Sequence, residues 1–589
     1  MRNEYPRPDF ARSSFVSLDE EWDFAFDDGD VGHEEKWFLG HDYEKAIEVP
    51  FAFESRLSGI GDTHFHDQLW YRKTLQIPAL RKDEDLVLHF EGVDYYSEVY
   101  VNGMMALVSE DGNCGYEVVA TPFLKKGGNE IVVYCFDPCE DRSIPRGKQD
   151  WEEQSHGIWY TRTSGLYKPV WYEIVNKKRI ARFYLTTKLD KYEVRLALES
   201  TSSQGRLEAE VSFPEGKKSF SFPVIKKRDA YLFALPNDLV NDRLWSPETP
   251  FLFPLRLCLY DEKGLPVDEV ASYLAFREIK TKKGQVLLNG RPIYQKLVLD
   301  QGYYPEGILT APSLEAMERD IAAIKAMGFN GVRIHQKIED PYFLYLCDKK
   351  GLLVWQECPA TYGYDSYAPR RLLNEWISIV KSSYNHPSIV AYTPLNESWG
   401  VEGIPFDAEI QAHALSLYYL IHSLDSSRLV ISNDGWEQCR TDLLTVHNYR
   451  HGEKGDKAQY QRFKEALSTR ESIVRFNNIQ RFILNPGYED EGQPIILSEF
   501  GGVAFQKDTG GKAWGYTVCA DGKDYEKELR RIYKAIALSK CLVGICYTQF
   551  TDVEQEVNGL LTDDRKFKID PSIIREINDS LVLPQGGRK

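Results

Sequence analysis

The stretch IVAYTPLNESWG, residues 389–400, opens as an apolar run of the kind that fills a buried parallel strand and then breaks into Asn396 and Glu397. A carboxylate at that break lies at the carboxyl end of a strand, where open and barrel-shaped α/β folds place their chemistry. Further strands read out in YQKLVLD (294–300), GVRIH (331–335), LLVWQE (352–357), LVISND (429–434), LLTVHNY (443–449), PIILSEFG (494–501) and GICYTQFTD (544–552). Helical or loop material separates them. SLEAMERDIAAIKAMG (313–328) has apolar residues at helical spacing, starts near Ser313 and stops at Gly328. Strand and connection repeat eight times, which predicts a (β/α)8 TIM barrel. The strand ends carry Asp300, His335, Glu357, Glu397, Asp434, His447 with Tyr449, Glu499, and Gln549 with Asp552, which a barrel gathers into one ring around its mouth.

Upstream the period is two. QLWYRKTLQIP, DLVLHFEGVDYYSEVYVNG and NEIVVYCFDP alternate between turns, a β-sandwich signature, and Asn102-Gly103 supplies the positive φ angles of a tight hairpin. YEVRLALES, RLEAEVSFP and FLFPLRLCLYDEKG mark a second all-β unit of immunoglobulin-like length. The expected division is 1–177, 178–278 and 279–589.

With 72 basic against 89 acidic residues, the net charge of −17 and the lack of a long basic block argue against nucleic acid and anionic membranes as partners. The start MRNEYPRPDF has no basic and apolar leader pattern, and no run of about eighteen apolar residues occurs, so a soluble, non-exported, cytoplasmic protein is expected. The ten cysteines match no common zinc or redox spacing, and neither a metal nor another cofactor is expected. Aromatic residues reach 13%, enough that some rings could stack on sugar faces while others fill cores.

Two carboxylates flanking an anomeric carbon suffice to cleave a glycosidic bond, one protonating the leaving oxygen and the other attacking or activating water. Glu397 ends the fourth strand and Glu499 the seventh, so the two face each other across the barrel mouth.

These residues carry a resemblance. NESWG, LSEFGG, GVRIHQKIEDPYFLYLCDKKGLLVWQE and GIWYTRTSGLYKPVW resemble glycoside hydrolase family 2 across essentially the whole chain. The resemblance implies an N-terminal jelly-roll sugar-binding domain, an immunoglobulin-like β-sandwich and a catalytic barrel. It implies a retaining exo-β-glycosidase in which Glu397 is the acid/base and Glu499 the nucleophile. It also implies that Asn396 bonds the sugar 2-hydroxyl, that Tyr449 orients the nucleophile, and that Arg333 and His335 line the second strand's end, with a structural ion pair as the competing reading of Arg333. His447 stands beside Tyr449. Burial near Trp399 is expected to raise the Glu397 pKa, while Tyr449 and Arg333 keep Glu499 charged.

The chain also departs from the family pattern. The Asn-x-Lys pair of glucuronidases is replaced by Glu556-Val557-Asn558, and the sandwich Asp that many members place six residues before the glycine matched by Gly165 is Trp159. The usual His after the first strand is absent from VLDQGYYPEG, where Asp300 and Gln301 could take over some of its polar contacts. Tyr303, Trp399, Trp436, Trp514 and Tyr547 are candidate pocket walls or core residues, and Gln549 lies at the rim. β-Galactoside-like sugars rank first as substrates, ahead of β-galacturonide, β-glucuronide, β-mannoside, galactofuranoside or arabinoside. A non-catalytic carbohydrate-binding protein is the alternative of another class. Homo-oligomerisation is left open.

Overall fold

Alternation of apolar and polar side chains along the N-terminal strands buries one face of each of two sheets against the other. The computed structural model, which describes residues 4–505 and 513–584, pairs a four-stranded sheet, built on Glu84–Phe90 and Val170–Asn176, with a six-stranded sheet centred on Gln68–Gln76 and Gly128–Phe136. Leu69, Tyr71, Leu88, Phe90, Val99 and Val133 fill the space between them. Asn102 (φ 53°) and Gly103 (φ 76°) turn the chain between Tyr96–Val101 and Met104–Ser109, as the Asn-Gly pair predicts. The next unit is a second sandwich of a three-stranded and a four-stranded sheet, the seven-strand count of an immunoglobulin-like domain.

The barrel follows. Its strands are β1 (Gln295–Asp300), β2 (Gly331–Ile334), β3 (Leu353–Glu357), β4 (Ile389–Thr393), β5 (Leu429–Val430), β6 (Leu444–His447), β7 (Ile495–Gly501) and β8 (Leu542–Thr548). All pair in parallel, in the order β5-β4-β3-β2-β1-β8-β7-β6. Helices Leu314–Ala326, Pro341–Lys350, Ala368–Ser383 and Ala408–Leu424 follow the first four strands. Ser313 caps the first of them by accepting from Ala316 N, which explains where the apolar periodicity begins.

The regular alternation fails once. Between β5 and β6 the described residues form no helix, and no ladder joins these two strands. The segment SNDGWEQCRTDL lacks helical apolar spacing and instead forms a buried polar loop whose Asn433 Oδ1 accepts from Ser398 N (3.1 Å) and whose Glu437 accepts from Ser398 Oγ (2.6 Å). That loop braces the residues after β4. The strand itself stops at Thr393, because Pro394 has no N–H to continue the ladder. Glu397 (φ 53°) and Ser398 (φ 61°) then take left-handed backbone, a costly conformation for non-glycine residues that the neighbouring loop sustains.

The lower end of the barrel is closed by the hairpin of Ile279–Lys282 and Gln285–Leu288 and by Trp245 from the second sandwich. Trp245 is fully buried with Leu297, Leu353 and Trp355, and donates from its indole to Asp348 O at 2.8 Å. Chemistry is thereby confined to the other end. Trp245→Ala is expected to destabilise the protein by about 3–5 kcal/mol, read as a lowered Tm. An unchanged Tm would show that the sandwich does not brace the barrel floor.

Candidate active site

Arg333, on β2, is completely buried at the centre of the ring. Its guanidinium contacts Glu357 through Nε, reaches Glu499 Oε1 at 2.8 Å and Asp434 Oδ2 at 2.7 Å through Nη1, and donates to Asn396 Oδ1 at 2.7 Å through Nη2. Burial opposes the charge, but Asp434, Glu357 and Glu499 outweigh it and hold the guanidinium well above its ordinary pKa. Both readings of this residue meet here, because the ion pair is structural and includes one of the two glutamates. Asn396 is oriented by the same contact. With its oxygen engaged by Arg333, its buried Nδ2 keeps no protein partner among the described residues.

His447 forms the second hub. Its Nε2 lies 2.9 Å from Asp434 Oδ2, and its Nδ1 lies 2.7 Å from Glu397 Oε1 and 3.4 Å from Glu499 Oε2. Burial disfavours the imidazolium, yet Glu499, Asp434 and Glu397 push its pKa up to about 10. For Glu397, burial favours the neutral acid as expected, but the hydrogen bond and charge of His447 overcome it and bring the carboxyl down to about 2. The expected rise beside Trp399 is therefore reversed. The proton of this coupled pair resides on His447, one hydrogen bond from Glu397.

Glu499 ends up between unlike partners. Oε1 takes Arg333, and Oε2 accepts from the Tyr449 hydroxyl at 2.6 Å, with Thr548 Oγ1 2.8 Å from the same hydroxyl. Tyr449 stacks on Tyr516 with ring centroids 3.8 Å apart. One carboxylate oxygen each from Glu397 and Glu499 and a ring nitrogen of His447 all lie within 4.8 Å of one another. That trio has the donor chemistry to hold a divalent cation, but Arg333 and the His447 proton already neutralise it. His335 pairs through Nδ1 with Glu357 Oε2 at 3.0 Å, and burial lowers its pKa.

The rim is aromatic. Trp399 donates to Glu397 Oε2 at 3.3 Å and meets Trp159 edge-on at 5.5 Å, so a sandwich-domain ring does reach the barrel mouth. Trp151 and Tyr362 complete this cluster. Trp436 lies 5.5 Å from the His447 ring, under the guanidinium of Arg481. Trp514 donates to Gly157 O at 2.8 Å and so ties the β7–β8 connection to the sandwich.

Three expected pocket residues take other places. Asp300 accepts from Gly302 N, and its charged neighbours are Asp320, Glu339 and Arg565. Burial, reinforced by those acids, lifts it to about 6, and it belongs to that buried cluster and not to the glutamate pair. Tyr547 packs outward against Phe500 and Tyr533, the latter on helix Gly522–Ala537, because alternate residues of a barrel strand face opposite sides. Gln549 has both ends of its amide engaged, by Gln301 (3.0 Å) and Asn558 (2.8 Å), and Asn558 in turn donates to Glu556 (2.8 Å).

Five further residues belong to the site. Asp434 and Glu357 are strand-end acids whose signal was visible but unassigned. Gln336 falls inside the GVRIHQ stretch but received no role, and Tyr362 and Lys148 come from connections with no motif to mark them. Gln336 Oε1 accepts from Tyr362 OH at 3.2 Å, leaving its buried Nε2 without a partner among the described residues.

The barrel mouth thus holds paired, differently supported carboxylates under an aromatic rim. The family described as glycosyl hydrolases family 2, TIM barrel domain, matches residues 279–577. Its sugar binding domain matches 15–170, and a third family 2 model matches 178–277. The chain belongs to glycosyl hydrolase family 2. It is 30% identical over 378 residues to a putative beta-glucuronidase of Formosa agariphila (61% of this chain, 44% of the relative). It is 25% identical over 354 residues to a beta-galactosidase of Vibrio cholerae (56% of this chain, 33% of the relative). The chain thus spans less than half the length of these curated relatives. Among solved structures it shares its fold with a GH2 beta-galacturonidase from Eisenbergiella tayi (TM-score 0.72, 19% identity, 100% of both chains). It likewise resembles a beta-glucuronidase from Ruminococcus gnavus (TM-score 0.76, 17% identity, 98% of both chains).

The raised imidazole stabilises the folded state fully below its unfolded pKa of about 6.5 and loses that contribution as pH rises toward 10. Stability should fall by roughly 1.4 kcal/mol per pH unit across this window from His447 alone. Denaturant titrations at pH 6.5 and 9.5 should show the loss in the wild type, and a His447→Gln variant should show a flatter profile. Equal slopes would place the proton elsewhere.

Proposed function

We propose that the protein is a retaining exo-β-glycosidase that removes terminal sugars by double displacement, with Glu499 as nucleophile and Glu397 as acid/base. The observation that carries the reading is the approach of one oxygen of each carboxylate to within 4.8 Å, with His447 between them and Arg333 and Tyr449 on Glu499. Retaining enzymes hold their carboxyl groups about 5–5.5 Å apart, whereas inverting enzymes leave room for a water between them. Arg333 and Tyr449 engage both oxygens of Glu499, which aims the carboxylate and fits a nucleophile.

Glu397 needs a proton when the aglycone leaves. The imidazolium of His447 stores that proton 2.7 Å away, and an incoming glycoside that displaces this hydrogen bond leaves it on the carboxyl. After the glycosyl-enzyme forms, Glu397 takes a proton from water. Asn396 Nδ2, unpartnered and fixed by Arg333, is placed to donate to a sugar hydroxyl. The rings of Trp159 and Trp399 wall one side of the mouth and support action on chain ends. Relatives described as beta-galactosidase and as putative beta-glucuronidase support a β-linked hexose or hexuronic acid as the substrate class. A non-catalytic sugar-binding protein would need neither a proton store nor a clamped carboxylate.

NMR of the first-formed sugar should show the β anomer, and an inverted product would rule out double displacement. Glu499→Ala should slow every substrate by several orders of magnitude, and azide should give the inverted glycosyl azide. Glu397→Ala should spare nitrophenyl glycosides more, since nitrophenolate leaves with little protonation, and azide should give a retained product. Opposite configurations would exchange the two roles. Trp159→Ala is expected to raise KM by roughly 3- to 10-fold, from lost ring contact worth about 0.5–1.5 kcal/mol. Unchanged kinetics would remove the sandwich from the pocket.

A further inference from the structure

We propose that Lys148, carried by the N-terminal sandwich, binds the carboxylate of a hexuronic acid glycone, which rests on the glycosidase reading above. Lys148 is 7% exposed, and among the described residues its ammonium makes no hydrogen bond or ion pair. The side chain is enclosed, and an ammonium without a protein partner is free to meet an acceptor that the ligand supplies.

The backbone around Lys148 is firmly placed at the barrel mouth. Arg146 N and Gly147 N both donate to Ala360 O at 3.1 Å, beyond the end of β3. Gly147 has φ 64°, and a Cβ there would stand 2.4 Å from Gln336 O, so only glycine allows the sandwich to press this closely on the end of β2. On the other side Lys148 O accepts from Tyr160 N at 2.8 Å, and the Tyr160 hydroxyl donates to Glu556 after β8. Lys148 therefore sits over the β2 and β8 side of the mouth. Its charge is felt by Glu397, His335 and Glu556.

The other charges near the mouth are already matched. Arg333 is held by three acids, and His447 by Asp434 and Glu397. Glu556 has one oxygen taken by Tyr160 and the other by Asn558, and burial raises its pKa against the pull of the Lys148 charge. The buried Nε2 of Gln336, on the residue against which Gly147 packs, supplies a second donor on the same side. An ammonium and a neutral N–H suit a carboxylate better than a hydroxymethyl group. This assignment moves the substrate expectation from neutral galactosides toward uronides, through a residue of another domain from the Asn-x-Lys pair that the chain lacks.

The test compares nitrophenyl β-glucuronide and β-galacturonide with the matching β-glucoside and β-galactoside. The wild type should favour one uronide over its neutral counterpart by roughly 100-fold in kcat/KM. In Lys148→Met that ratio should collapse toward unity, and Lys148→Arg should restore part of it. A second measurement uses the Glu499→Ala protein, whose Tm should rise with millimolar free galacturonate or glucuronate and not with galactose or glucose. The response should vanish when Lys148→Met is added. Hydrolysis that prefers the neutral glycosides, or a uronide preference that survives Lys148→Met, overturns the inference and leaves the glycosidase reading intact. A panel with no hydrolysis at all overturns that reading, and the Tm responses of the Glu499→Ala protein then decide the carboxylate site separately.

Discussion

One guanidinium organises this molecule's chemistry. Arg333 has no solvent contact, and a bare cation in that position would be prohibitively costly to bury. Three carboxylates from β3, from the loop after β5 and from β7 converge on it, so with β2 itself the strand ends of half the ring are tied to a single side chain. Removing it would leave Glu357, Asp434 and Glu499 facing one another with His447 as the main remaining offset to their charge. The same guanidinium orients Asn396, so that amide and the Glu499 carboxylate share one constraint.

A second constraint couples the two glutamates. His447 lies between Glu397 and Glu499 and is anchored from behind by Asp434, which also touches Arg333. The two hubs are thus linked through Asp434, and the proton count of the site is a property of the group. A change at any one of Asp434, His447 or Glu397 shifts the charge on the others, because the surroundings are too dry to screen them. The missing helix between β5 and β6 follows from the same need. The segment that would have formed it instead supplies Asn433, Asp434 and Glu437, which hold the strained backbone of Glu397 and Ser398.

The sandwich domains do more than flank the barrel. Trp245 closes its lower end, and the segment around Lys148, Trp159 and Tyr160 completes its upper end. The mouth is finished only when a domain distant in sequence docks on it, which explains why a reading of barrel strands alone recovers the carboxylate-lined floor and misses part of the wall.

Local patterning was enough to read the eight strands, the two sandwiches and their order, because apolar periods of two and of 3.6 reflect burial that each element must achieve wherever it lies. The same reading put Glu397, Glu499 and Tyr449 at the rim, since parallel strands of a barrel deliver their last residues there, and the family resemblance added Arg333 and Asn396. Which side a strand-end residue faces was a tertiary decision. Asp300 and Tyr547 looked as suitable as Asp434, yet they turn toward the helices. His447 reaches its place only because the β6–β7 ladder shifts register at Val446 and His447, setting His447 against Glu499. Partner choice was also decided in three dimensions. The burial that should have raised Glu397 is overruled by an imidazole 50 residues away in sequence. Lys148 carries no motif, and it differs from the many surface lysines only because docking of two domains buries it without a partner. A sequence specifies the residues able to carry charge, but the energy of a charge depends on its distance to every other charge and on the water excluded around it, and those quantities exist only once the chain has folded.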